Sequence, residues 1–150
     1  VPSFFVVHTY YWGDRHHEIF LGPDRAGRIN PLRSALERRI PFTNHNDSAV
    51  TPMDPLLSVW SAVNRRTASG RVLEEEQTIP VLEALKAVTI NGAYQYFEED
   101  RKGTIKEGKL ADLVVLSENP CKADPMAIKD IQVLYTFKEG RCIFDAHYDK

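Results

Sequence analysis

The sequence predicts an α/β fold that gives way to a small β part. Three observations predict it. Apolar, β-branched runs at residues 3–9 and 40–45 are each followed by segments of helical period. That alternation is the βα grammar of a parallel sheet. A charged run at residues 98–102 then ends the helical pattern, and short alternating segments separated by turns follow it.

Residues 3–9 are aromatic and β-branched and predict a strand, followed by a loop through Tyr10, Tyr11, Trp12, Gly13 and Asp14. Residues 15–21 predict a short helix that stops at Gly22-Pro23. Asn30-Pro31 opens a helix with Leu32, Ala35, Leu36 and Ile40 on one face. Residues 40–45 predict a second, buried strand, which stops in the polar cluster His45, Asn46, Asp47, Ser48. Asp54 then caps a helix with Pro55 at its first position, running to about Asn64. Residues 65–78 are polar and charged and predict a surface loop. Pro80 starts a helix through Val88, and a second short helix follows Asn91-Gly92.

The charged run at 98–102 marks the expected boundary between residues 1–97 and 98–150. Beyond it, residues 113–116 predict a strand and residues 124–128 a short helix or turn. Residues 131–138 predict a strand, with Val133, Tyr135 and Phe137 on one side. Glu139-Gly140 makes a tight turn, and residues 141–144 pair back. Two βα units do not close a sheet, because three or more strands and cover on both faces are normally required. Residues 1–97 therefore resemble the end of a larger barrel.

The bulk numbers bound the function. The 150 residues are 43% hydrophobic and 27% charged, ordinary for a soluble globular protein. A formal net charge of −2 gives no electrostatic case for nucleic acid or an anionic membrane. No apolar run approaches ~18 residues, so no transmembrane helix is expected. The opening residues Val1 to Val7 carry no basic leader, no cleavage site and no initiating Met. They predict a strand cut from something longer, not a signal peptide. Cys121 and Cys142 lie outside any metal-binding spacing and predict free thiols in a reducing, cytoplasmic setting, with a disulfide between them left open.

In α/β sheets, ligands bind at the carboxyl ends of strands. Asp47, His45 and His8 are expected at such ends, and the alternation of His45 with Asp47 places both on one side of the strand. Each also has a plainer explanation: a turn or helix cap for Asp47, an ordinary satisfied polar group for either histidine. Trp12 and Asp14 shape the mouth of a site or simply form a turn. His16-His17-Glu18 is not a His-Glu-x-x-His pattern and is expected to be solvated.

Three blocks carry a family resemblance. They are His8 to Asp14, Phe42 to Val50 with Pro52, Asp54 and Pro55, and Gly103 to Leu116. The third is similar to the G-x-I-x-x-G-K-x-A-D-L-V-V-L signature near the C-terminus of amidohydrolase-superfamily enzymes. The first two resemble amidohydrolase family 3, which includes N-substituted formamide deformylase-like enzymes. The resemblance covers essentially the whole chain. It implies the C-terminal βα units of a TIM-like (β/α)8 barrel, followed by part of a small β-sandwich built from both chain ends. On that pattern the 40–47 strand is the eighth, and Asp47 is the catalytic carboxylate that also touches a divalent metal, expected to be zinc. His8 would contact substrate or oxyanion, and His45, Trp12 and Asp14 would line the substrate site. The Gly-Lys-Leu-Ala-Asp stretch would be structural.

The strands that carry the family's other metal ligands have no counterpart in these residues. They hold a His-x-His on the first strand, a carboxylated Lys or acidic group mid-barrel, and histidines on the fifth and sixth. The implied function is metal-dependent hydrolysis of carbon–nitrogen bonds in small amide, N-acyl or N-formyl compounds. The chain alone is then expected to be inactive, with weak or no metal binding. The rival reading is a non-catalytic truncated relative that acts as a scaffold or interaction module. Its open sheet edges and apolar faces would favour a homo-oligomer. A stand-alone α/β small-molecule binder is the third reading.

Overall fold

A computed structural model describes residues 1–148. Strands β1 (Ser3–Phe4) and β2 (Thr43–Asn44) pair in parallel, with Ser3 opposite Thr43 and Phe4 opposite Asn44. The Thr43 and His45 amides donate to the carbonyls of Pro2 and Phe4, which fixes that register. Around the pair lie α1 (His8–Arg15), α2 (Pro23–Gly27), α3 (Leu32–Glu37), α4 (Pro55–Asn64), α5 (Val81–Ala87) and α6 (Ile90–Gln95). A π turn, His16–Phe20, extends α1. Val6, Val7, Leu32, Phe42, Val59, Trp60 and Ala84 form the centre of the core. The fold is mixed α/β, as the βα alternation predicts.

The first strand is shorter than its β-branched composition predicts. The chain turns at Phe5: the amides of His8, Thr9 and Tyr10 donate to the carbonyls of Phe5, Val6 and Val7. Val6 and Val7 are completely buried in this turn. Their branched side chains serve the core equally well from a helical entry, so burial overrides local strand preference. The stretch from Tyr10 to Asp14, expected as a loop, is therefore helix.

The start of α4 follows the sequence signal closely. The Asp54 carboxylate accepts from the Leu57 amide at 3.0 Å, and Pro55 stands at the first helical position, where no amide is needed. Asp54→Ala is expected to lower unfolding free energy by about 1 kcal/mol in urea titrations.

Residues 65–78 correct the surface-loop expectation. Arg65, Thr67 and Leu73 are buried within them. Arg65 closes α4 in a left-handed conformation (φ +48°) and turns its guanidinium inward. Nε donates to Leu73 O at 2.7 Å, Nη1 to Asn30 O at 3.0 Å, and Nη2 to Ile29 O at 2.9 Å and Gly27 O at 3.2 Å. One side chain thus donates to four main-chain carbonyls from two segments, residues 27–30 and Leu73. Burial lowers its pKa to about 10, with the charge of Glu74 opposing the fall, so it remains a cation at neutral pH.

Beyond residue 102, β3 (Leu113–Leu116), β4 (Val133–Lys138) and β5 (Arg141–Asp145) form an antiparallel sheet in the order β3-β4-β5. A 3-10 turn, Pro125–Asp130, anchors this part to α4. Trp60 Nε1 donates to Met126 O and Asn64 Nδ2 to Pro125 O, each at 2.9 Å, while Ile128 is fully buried. The Gly-Lys-Leu-Ala-Asp stretch is used for chain geometry. Lys109 Nζ donates to the carbonyls of Glu99 and Lys102. The Asp112 carboxylate accepts from the Glu139 amide at 2.8 Å, and the Gly140 amide donates to Ala111 O.

Cys121 and Cys142 are exposed and free. No helix among the described residues is long and apolar enough to cross a membrane.

Candidate functional site

The carboxyl ends of β1 and β2 lie side by side because the two strands are parallel. Phe5 follows β1 and His45 follows β2. The His45 ring stacks on Phe5 at 5.3 Å, and its Nδ1 lies 2.8 Å from Ser3 Oγ. His8 stacks on the same phenyl ring, also at 5.3 Å. Trp12 leans against His8 at 5.3 Å and against Phe5 at 6.2 Å. Three of the residues singled out from the sequence, His8, His45 and Trp12, therefore gather around Phe5.

His8 occupies a different element from the one expected. It opens α1 instead of ending a strand. This placement brings His16, expected to be solvated, beside it. His16 is half-buried, and its Nε2 lies 3.0 Å from His8 Nε2. His8, Trp12 and His16 are spaced by four, the interval that stacks side chains on one helix face. That signal was present in the sequence, hidden by the prediction of a loop. Burial pushes the His8 pKa down and His16 pushes it further; burial pushes the His16 pKa down too. Both are neutral at pH 7.

Asp47 lies three residues beyond β2, exposed and in a left-handed conformation (φ +50°). Its carbonyl accepts from the Val50 amide at 2.7 Å. Among the described residues no side chain or amide hydrogen-bonds its carboxylate. The loop is held from behind: Asn46 Nδ2 donates to Asp54 O at 2.9 Å, and buried Thr51 donates to Asn46 O. The turn at Asp47 breaks the alternation that was expected to place it on one side with His45, because period-two alternation holds only in extended backbone.

Asp14 is committed elsewhere. Its carboxylate accepts from Thr67 Oγ1 at 2.9 Å and Ser69 Oγ at 2.8 Å, with Arg71 Nε at 3.4 Å. Burial on its own raises the Asp14 pKa; the bonds from Ser69 and Thr67, with the Arg71 charge, outweigh that and hold it below 3.8. A lowered carboxyl pKa stabilises the fold fully above the ordinary value, and that stability is lost as pH falls through the lowered one. Asp14→Asn is therefore expected to cost about 1 kcal/mol at pH 7, and the difference from wild type should shrink as pH falls below 3.8 in urea unfolding.

The family model described as "Amidohydrolase family" matches residues 1–144. The chain belongs to the amidohydrolase family. It is 31% identical over 113 residues to N-substituted formamide deformylase of Arthrobacter pascens, covering 75% of this chain and 21% of that protein. Among solved structures, an amidohydrolase from Thermotoga maritima matches with a TM-score of 0.54 and 25% identity, over 76% of this chain and 25% of that one. An uncharacterized metal-dependent hydrolase from Pyrococcus horikoshii has a TM-score of 0.66 and 20% identity, over 82% of this chain and 25% of that one, and shows likeness of fold. The chain spans 21% to 26% of the length of the curated relatives it matches.

A divalent metal would need several ligands in this amidohydrolase chain. Among the described residues, no group of three or more His, Cys, Asp or Glu side chains is arranged to hold one. The free carboxylate of Asp47 fits one ligand of such an ion, and the described residues do not supply a set around it.

Proposed function

We propose that this amidohydrolase chain is the C-terminal portion of a metal-dependent hydrolase of carbon–nitrogen bonds, acting on small amide, N-acyl or N-formyl compounds. On this reading residues 1–97 are the last βα units of a (β/α)8 barrel and residues 98–150 belong to a composite β-sandwich. The observation that carries the reading is the unengaged carboxylate of Asp47, held beyond the end of a parallel strand in a chain of this family. When bound, a divalent ion, zinc on this reading, supplies Lewis acidity toward water and the amide carbonyl. Asp47 takes the proton of the attacking water and returns it to the departing nitrogen. Neutral His8 donates a hydrogen bond to substrate or to the developing oxyanion. His45, fixed between Ser3 and Phe5, and Trp12 line the substrate's approach. Asp14 braces that wall through its bonds to Thr67 and Ser69. The buried, unpartnered amide of Asn44 beside His45 supports further polar groups meeting this end of β2.

Assays of N-formyl and N-acyl amines test this reading. The purified chain with added zinc is expected to show no hydrolysis above background. The same chain fused behind the N-terminal part of a family relative is expected to hydrolyse them, with activity lost to a chelator. Chelator-sensitive hydrolysis by the chain alone would overturn the part-enzyme reading.

A second reading, a non-catalytic interaction module, is favoured by apolar side chains left in the open. Phe97 and Ile105 are each 91% exposed. Such surface promotes self-association, so light scattering is expected to show a homo-oligomer of the isolated chain. A clean monomer that keeps its fold would remove that support.

A further inference from the structure

We propose that His8 and His16 form a two-nitrogen binding site for a divalent transition-metal ion of the Zn(II) type. Their Nε2 atoms lie 3.0 Å apart. Two imidazoles that each bind one ion at about 2.0–2.1 Å from adjacent coordination positions have nitrogens about 3 Å apart. Opposite positions would separate them by about 4 Å, so the spacing selects a bent arrangement.

The ring centroids are only 4.3 Å apart, with planes inclined at 47°. The rings lean side by side, and one Nε2–H donates to the other Nε2; an ion seated between the two nitrogens would take the place of that shared proton. Imidazole binds a metal through an unprotonated nitrogen, which burial favours here by disfavouring protonation of both rings. The surroundings fix the pair: Phe5 and Trp12 pack against His8, and Phe20 against His16 at 5.8 Å.

The remaining positions on the ion are left to water or substrate. The buried His16 Nδ1 has no hydrogen-bond partner, so the outer support that strengthens histidine ligands is missing on that side. The site is accordingly exchangeable, and it does not rest on the hydrolase reading.

Zn(II) titration of the 150-residue chain tests the proposal. Cys121→Ser and Cys142→Ser form the background, which removes the exposed thiols as competing ligands. Calorimetry is expected to give one ion per chain, with affinity lowered at least about tenfold by His8→Gln and by His16→Gln. His17→Gln and His147→Gln are expected to leave it unchanged. NMR of the background chain supplies the arm that needs no histidine variant: Zn(II) should shift the Nε2 resonances of His8 and His16 together. Absence of saturable binding up to millimolar Zn(II) would overturn the proposal. So would affinity indifferent to both His8→Gln and His16→Gln, or shifts at His17, His45 or His147 in place of the pair.

Discussion

Asp47→Asn is expected to lower kcat by about 10²- to 10⁴-fold with little change in KM, measured in the chain fused behind the N-terminal part of a family relative. That loss corresponds to about 3–5 kcal/mol of transition-state stabilisation. The substitution removes the proton-accepting charge and keeps the size of the side chain. The Asp47 carboxylate has no hydrogen-bond partner among the described residues, so its loss leaves no buried group unpaired. The Asn46 and Thr51 bonds that hold the loop are made by other residues. Thermal stability should therefore stay within about 0.5 kcal/mol of wild type, as for other surface changes. Loss of activity with an unchanged melting curve is the expected signature. A variant with full kcat would show that the proton is carried elsewhere.

Arg65→Ala is expected to destabilise the fold by about 3–5 kcal/mol, or to prevent folding, in urea and thermal unfolding. The deletion removes the guanidinium donor from the carbonyls of Gly27, Ile29 and Leu73, takes one of two donors from Asn30 O, which keeps the Leu32 amide, and empties a fully buried volume. Arg65→Lys should recover only part of the loss. An ammonium is a compact donor without the flat fork that reaches both segments at once. A change smaller than 1 kcal/mol for Arg65→Ala would mean that water replaces the guanidinium readily.

Much of the architecture was legible along the chain. Asp54-Pro55 announced α4, because a cap is a local bond between a side chain and an amide three residues away. Glu139-Gly140 announced the β4–β5 turn for the same reason, since turn geometry depends on neighbouring φ and ψ values. The Gly103 to Leu116 block pointed to the family, and the family match over residues 1–144 agrees with it.

Other features were not legible. Arg65 sits in a polar stretch, and its partners lie 8 to 38 residues away, so composition assigned it to the surface. Residues 3–9 have strand composition, yet Val6 and Val7 reach the core from a helical turn.

The sequence by itself determined the α/β class, the two βα units, the β hairpin and the family of this protein. Each rests on short-range periodicity, capping chemistry or a contiguous motif. Only the tertiary structure decided that His8, His45 and Trp12 meet around Phe5, that His16 joins His8, and that Asp14 turns away to Thr67 and Ser69. Those meetings depend on where one element ends and the next begins. Shifting one boundary by a few residues, as at His8, converts a strand-end side chain into one member of a helical stripe. Long-range burial, which a one-dimensional pattern does not contain, sets that boundary.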